Sequence, residues 1–339
     1  MSTVDLPAPA DPAPADPVPA DPAPADPAPA DPAPADPAPA DPAPADPVSA
    51  DPAPAVRAPR NPAAAWARLF GSELRLVFGR RRNQLLLAVT AVFPVIIGIA
   101  LRVAAPHPQG GGGNGPGAAF FNQLAGNGVF LSFIALSTLL VLVLPVVLAV
   151  VAGDSVAGEA GYGTLRYLLA VPAGRTRLLG VKFAAIVVFG LAATVVVAAV
   201  SLVTGAALFP VGPVTLLSGS TVPLTDGLVR VLFVTLYVAG AMAALGAIGL
   251  AISTLTEHAI GAIAAIAILV VTSEVVDQVP QLAAIGPYLP THWWLSFDSI
   301  LRAPVDTSTL LKGLLSFGVY TVLFGSFAWA RFTTADVTS

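Results

Sequence analysis

The chain has 339 residues, of which 55% are hydrophobic and 11% charged, with a formal net charge of −4. A soluble domain needs far more polar surface, so this composition points to a polytopic membrane protein. No cysteine is present, which excludes a disulfide framework and any thiolate metal or redox centre.

The net charge conceals two unlike segments. Ten of the 20 acidic residues lie in the first 55 positions, where no basic residue occurs, and the remainder carries 16 basic against 10 acidic residues. That mild basic excess suits a protein facing anionic lipid and does not suggest nucleic acid. From Asp11 to Asp51 an aspartate recurs every five residues, mostly within "DPAPA". Proline removes backbone donors and the aspartates repel one another, so no core can form there. Residues 1–62 are therefore expected to be a disordered Pro/Ala/Asp-rich cytoplasmic arm, extended and polyproline-like. It reads either as a repeat that expanded unopposed or as a spacer, and nothing in it names a partner. The start lacks the basic and then apolar pattern of a secretory signal.

Residues 63–82, "AAAWARLFGSELRLVFGRRR", space Trp66, Leu69, Phe70, Leu74, Val77 and Phe78 as one helical face, with Arg68, Ser72 and Arg75 opposite. This predicts an amphipathic helix lying in the membrane interface. Glu73 falls inside the apolar arc, and so either pairs with a nearby arginine or faces a protein neighbour. Six apolar runs follow at about 84–104, 128–152, 183–208, 228–252, 258–279 and 312–330. Each is near the ~20 residues that a bilayer core requires, and their centres are free of charge. With the N-terminus inside, twelve basic residues flank the runs on the cytoplasmic side. Four lie on the other: Arg102, Arg230, Arg302 and Lys312. That asymmetry places both termini inside. Segments 106–117 and 209–227 read as outer loops, rich in glycine and turn residues. The longer outer segment 280–311 contains Tyr288, Trp293 and Trp294, which fit an aromatic belt at the outer interface, carried on a short helix dipping into the membrane. Pro94 and Pro145 lie within runs and are candidate kinks.

One sizeable cytoplasmic loop remains, at 153–182. Within it, residues 158–182 read "GEAGYGTLRYLLAVPAGRTRLLGVK". A simple hairpin reversal needs few residues, and this loop uses about thirty. Gly161 and Gly163 break a helix, "TLRYLL" resumes one and Pro172 ends it. The expected product is a short helix projecting from the membrane. Its apolar face (Leu165, Leu168, Leu169) suits the groove of a cytoplasmic partner.

This segment resembles the one that follows the second span in permease subunits of ABC transporters of the type-2 exporter class. The matching residues are Glu159, Gly163, Thr164, Leu165, Leu168, Leu169, Pro172, Gly174, Arg175 and Lys182. The motif covers about 25 residues. The layout agrees over 63–331, with a leading amphipathic helix, six spans and a long outer segment before the sixth. The Pro-rich arm is outside the family pattern. The resemblance implies that the loop is a coupling helix seated in a cleft of an ATP-binding subunit, where ATP-driven closure would move it and rearrange the spans. Glu159 and Arg166 would then steady the loop or pair across the contact, and the leucines would fill the cleft.

Other candidate chemistry is sparse. Gly161-Tyr162-Gly163 is not a phosphate loop, and no Gly-Lys-Ser/Thr occurs anywhere. The chain is thus expected to be no enzyme and to bind no cofactor itself, with ATP and Mg on the partner. His107, His258 and His292 lack ligand spacing, so no metal is expected. Glu274 and Asp277 share one face near the outer end of the fifth run, as an outer-cavity polar site or as interfacial exposure.

The combined expectation is an all-α integral membrane protein of six spans, its permease domain covering 63–339, in a bacterial plasma membrane. It would be the permease subunit of an ABC exporter, pairing with a second permease subunit, homo- or heteromeric, and with a separate ATP-binding subunit. Its substrate would be hydrophobic or amphipathic, such as a drug, an antibiotic or a lipid-like molecule. An ion-coupled secondary carrier should instead show charges near mid-membrane and paired broken spans. A membrane scaffold or sensor would need no ATPase partner.

Overall fold

A computed structural model describes residues 62–104, 127–161 and 174–334. The Pro-rich arm, the glycine-rich segment around 106–117 and the short helix expected from "TLRYLL" to Pro172 lie outside these residues. The described chain is mostly helical. Its helices are α1 (Pro62–Gly79), α2 (Arg81–Ala104), α3 (Phe130–Val141), α4 (Val143–Asp154), α5 (Ala157–Gly161), α6 (Arg175–Leu208), α7 (Leu224–Ser253), α8 (Ala259–Asp277) and α9 (Thr307–Thr334). Five of them, α2, α6, α7, α8 and α9, are each long and apolar enough to cross a bilayer, and α3 with α4 forms a sixth candidate if taken as one span. A multi-pass membrane protein follows from lengths and composition, because a helix satisfies its own backbone donors where water is absent.

Local chemistry sets the helix ends. The amphipathic stretch does not run to residue 82: α1 stops at Gly79 and α2 starts at Arg81. Asn83 Nδ2 donates to the Val77 carbonyl at 2.8 Å and Gln84 Nε2 to the Phe78 carbonyl at 2.9 Å, satisfying acceptors that the ended helix exposes. The last helix starts at Thr307, well before residue 312, because Asp306 caps it. Its carboxylate accepts from the Ser308 and Thr309 amides and from both hydroxyls, which hold it down at about pKa 2.

The two intra-run prolines differ. Pro145 has no N–H to give the Val141 carbonyl, and the chain bends by 51° at Leu142, dividing α3 from α4. Pro94 sits inside the unbroken α2. At 34 residues α6 is about 51 Å long, some 20 Å more than the hydrocarbon core of a bilayer.

The core lies where α3, α4, α6 and α7 meet. Phe130, Leu136, Leu140, Leu148, Phe189, Val197, Val238 and Met242 are all buried there. Burial ranks the helices: 67% of the most apolar window of α7 is buried, against 11% for α9, so α7 is central and α9 peripheral. The start of α3 approaches the end of α6 backbone to backbone. A Cβ added at Gly128 would collide with the Gly205 carbonyl, and one at Gly205 with the Gly128 carbonyl.

At that same end the 209–227 loop is not wholly irregular. Val214–Thr215 (β1) pairs antiparallel with Thr221–Val222 (β2), in register Val214 with Val222. This small departure from an all-helical chain leans on the 280–301 segment: the Leu217 amide donates to the Leu301 carbonyl at 3.0 Å. Residues 280–301 contain three 3-10 helices, Pro280–Leu282, Gly286–Tyr288 and the eight-residue Trp294–Leu301. The aromatic-belt expectation fails for Trp294, which is 2% exposed and packs in the core, whereas Tyr288 is 78% exposed. Burying an indole in the core gains more apolar area than leaving it at the interface.

Candidate functional site

Two elements of the 158–182 motif are described, Gly158–Gly161 and the stretch from Gly174 onward. They converge on one buried lysine. Lys182 lies two turns into α6, is 1% exposed, and directs its ammonium at two carboxylates. Its Nζ is 2.6 Å from Glu159 Oε1 and 3.0 Å from Glu73 Oε1. It is therefore not one of the solvated cations that merely orient a membrane protein, as charge counting suggests. Glu73 lies in the apolar arc of α1 because its partner is inside the protein, and that partner is this lysine, not a nearby arginine.

A second ionic group adjoins the first. Asp154, at the end of α4, receives Arg80 and Arg82, the latter at 3.0 Å. Nothing in the motif pointed to Asp154. Its signal was position: it is the first ionisable residue after the second apolar run. Together the two groups line a water-sized cavity of about 30 Å³. They tie α1, the α1–α2 junction, α4, α5 and α6 into one node.

The turn from α4 to α5 is fixed by Ser253 at the end of α7, fully buried. Its hydroxyl accepts from the Val156 and Ala157 amides at 3.1 and 2.9 Å and donates to the Gly153 carbonyl at 2.9 Å. Downstream, Arg175 Nη1 donates to the Thr333 carbonyl at 3.0 Å, tying the start of α6 to the end of α9. Both flanks of segment 162–173 are thus anchored. Gly163, Thr164, Leu165, Arg166, Leu168, Leu169 and Pro172 fall within that segment, outside the described residues.

Burial pushes the Glu159 carboxyl above its ordinary 4.5, outweighing the downward pull of Lys182. Folded chains then hold a proton at Glu159 that unfolded chains release, so this residue's contribution is lost as pH rises from about 4.5 through the raised value. Thermal unfolding in detergent should show a midpoint that falls over that window, and a shallower fall in Glu159→Gln. An unchanged slope in the variant would show that another group carries it.

At the other end of the bundle, Glu274 and Asp277 are half-buried on the last turn of α8. Asp277 Oδ1 lies 2.6 Å from His292 Nδ1, and Ser273 shares a 2.8 Å hydrogen bond with Thr291. These contacts fasten α8 to the 280–301 segment. His292, set aside for want of ligand spacing, is the partner that brings Asp277 inward. Among the described residues no three His, Asp or Glu side chains converge to hold a metal.

No curated protein matches the chain. A family model described as "Protein of unknown function (DUF2705)" matches residues 96–338, from the middle of α2 to beyond the end of α9. That stretch contains Asp154, Glu159 and Lys182 and leaves out α1 with Glu73. As it covers well over half of the sequence, the chain belongs to the DUF2705 family.

Proposed function

We propose that this chain is the transmembrane permease subunit of an ABC exporter, driven by a separate ATP-binding subunit that grips the 153–182 loop. The observation that carries the reading is the motif from Glu159 to Lys182, whose two ends meet in an ion pair of 2.6 Å. Such a clamp supports the use of segment 162–173 as a lever. A push on it is delivered to Lys182 on α6, to Glu73 on α1 and, through the Ser253 anchor, to α7. A loop that only reversed the chain would need no such node. In this reading α3 and α4 form one span, the total is six, and both termini are cytoplasmic in a bacterial plasma membrane. A second permease subunit completes the path for a hydrophobic or amphipathic substrate. No Gly-Lys-Ser/Thr exists in the sequence, so ATP and Mg would be held by the partner.

Affinity purification from the native host in mild detergent, followed by mass spectrometry, tests this. The expected result is a near-stoichiometric partner with a Gly-x-x-x-x-Gly-Lys-Ser/Thr loop, lost when residues 159–175 are altered in a variant that still folds. Recovery of the intact chain without any such ATPase, under conditions that preserve other transporter complexes, would overturn the reading.

A further inference from the structure

The end of the bundle opposite the ionic node carries a groove of about 610 Å³ between α7, α9 and the turn ending at Leu301. Its volume is within the ~300–1,000 Å³ typical of small-molecule sites. Phe233, Leu236 and Leu314 give it apolar walls while remaining about half exposed, so it faces outward from the bundle. Tyr237 is buried, donates to the Trp293 carbonyl at 2.8 Å and closes the inner end. Between Asp226 at one end and Tyr237 at the other the groove follows about 16 Å of helix, half the ~30 Å hydrocarbon core of a bilayer. Its depth therefore matches a single leaflet.

The polar end is specific in charge. Asp226 and Arg230 are one helical turn apart and line the same cavity, yet they form no salt bridge with each other. Arg230 uses Nη1 on the carbonyls of Ile300 and Arg302, which fixes its position. The guanidinium has five N–H donors, so the fork has others to offer an anion. An anion site and a cation site one turn apart, above an apolar slot one leaflet deep, complement a zwitterionic headgroup with an acyl chain beneath it.

We infer that this groove binds a zwitterionic phospholipid of the surrounding bilayer, with one acyl chain along α7 and α9, phosphate at Arg230 and amine at Asp226. The volume admits one chain and leaves the second in the bilayer. A nonpolar substrate would leave the charged pair unused, and an anionic lipid lacks the amine for Asp226. The site is remote from the 153–182 loop and stands or falls independently of the exporter reading.

The test uses the full chain reconstituted in nanodiscs of equal phosphatidylethanolamine and phosphatidylglycerol, then released and weighed by native mass spectrometry. One phosphatidylethanolamine should remain per chain, favoured about fivefold as expected for a single part-exposed ion pair. Asp226→Asn should bring the two lipids to parity. Leu314→Trp, which fills the groove from a half-exposed position, should abolish retention without lowering the unfolding midpoint. Equal retention by folded Leu314→Trp, or no headgroup preference in the unaltered chain, would overturn the inference. So would a disulfide dimer formed in membranes by Leu314→Cys, since the chain has no cysteine of its own and a second copy would then occupy the groove.

Discussion

Replacing Lys182 by methionine should cost roughly 3–5 kcal/mol of stability, the usual penalty for leaving buried charges without their partner. Methionine fits the volume of the lysine stem, so the loss isolates the charge. It would strand two carboxylates, Glu73 and Glu159, which now converge on one ammonium. Each can escape by taking up a proton, so the penalty should be smallest in acid and grow toward neutral pH. Thermal unfolding in detergent at two pH values measures this. Glu73→Gln combined with Lys182→Met should recover part of the loss, because one stranded charge has been removed. If the single variant unfolded at the temperature of the unaltered chain at neutral pH, the node would be ornamental, with nothing for segment 162–173 to push against. Lys182→Arg is not a conservative control: the planar guanidinium is larger than the ammonium, and the site has little room.

Gly205→Val should be comparably damaging for a reason that involves no charge. Overpacking a core commonly costs about 1–3 kcal/mol when neighbouring side chains can shift. Here the neighbour is the Gly128 carbonyl, and backbone moves only if α3 and α6 separate along their length. The expected loss is at or above the upper end of that range, with Gly128→Ala giving the reciprocal defect. Gly180→Ala, on the same helix but with open space around it, should instead stabilise by about 0.5–1 kcal/mol through helix propensity. Folded fraction after heating, read by size exclusion, separates the two outcomes. Equal behaviour of the variants at 205 and 180 would mean that the close approach contributes nothing.

The helical, membrane-spanning character of this chain was legible because a long run of apolar residues has few other uses. The runs also located most of the core, from Phe130 to Met242. What composition could not reveal were contacts between residues far apart in sequence. Glu73 was visible as an anomaly on an apolar face, but its partner is 109 positions away. Lys182 was legible as a motif residue but not as a buried one, since nothing local distinguishes a solvated lysine from one that is 1% exposed. Asp154 was overlooked because it closes an apolar run, where a charge is unremarkable until two arginines from the α1–α2 junction meet it. Two prolines with the same local chemistry also behaved differently: Pro145 adjoins a 51° bend and Pro94 does not. Trp294 followed the same pattern, an interfacial residue by type and a core residue by tertiary packing.

The bend at Leu142 has a mechanical meaning. An unbroken rod tilted at one end swings its other end through the same angle. The helix pair that begins at Phe130 and ends at Asp154 is a jointed rod, because the hydrogen-bond ladder lacks the proline's donor at the bend. Torque applied near Asp154 can relax at that joint before it reaches Phe130, which remains wedged beside α6. In the proposed six-span exporter, this path would insulate the two faces of the membrane from each other. In that exporter, displacement across the bilayer would be left to the continuous helices α6 and α7, and the ionic node grips the first of them directly.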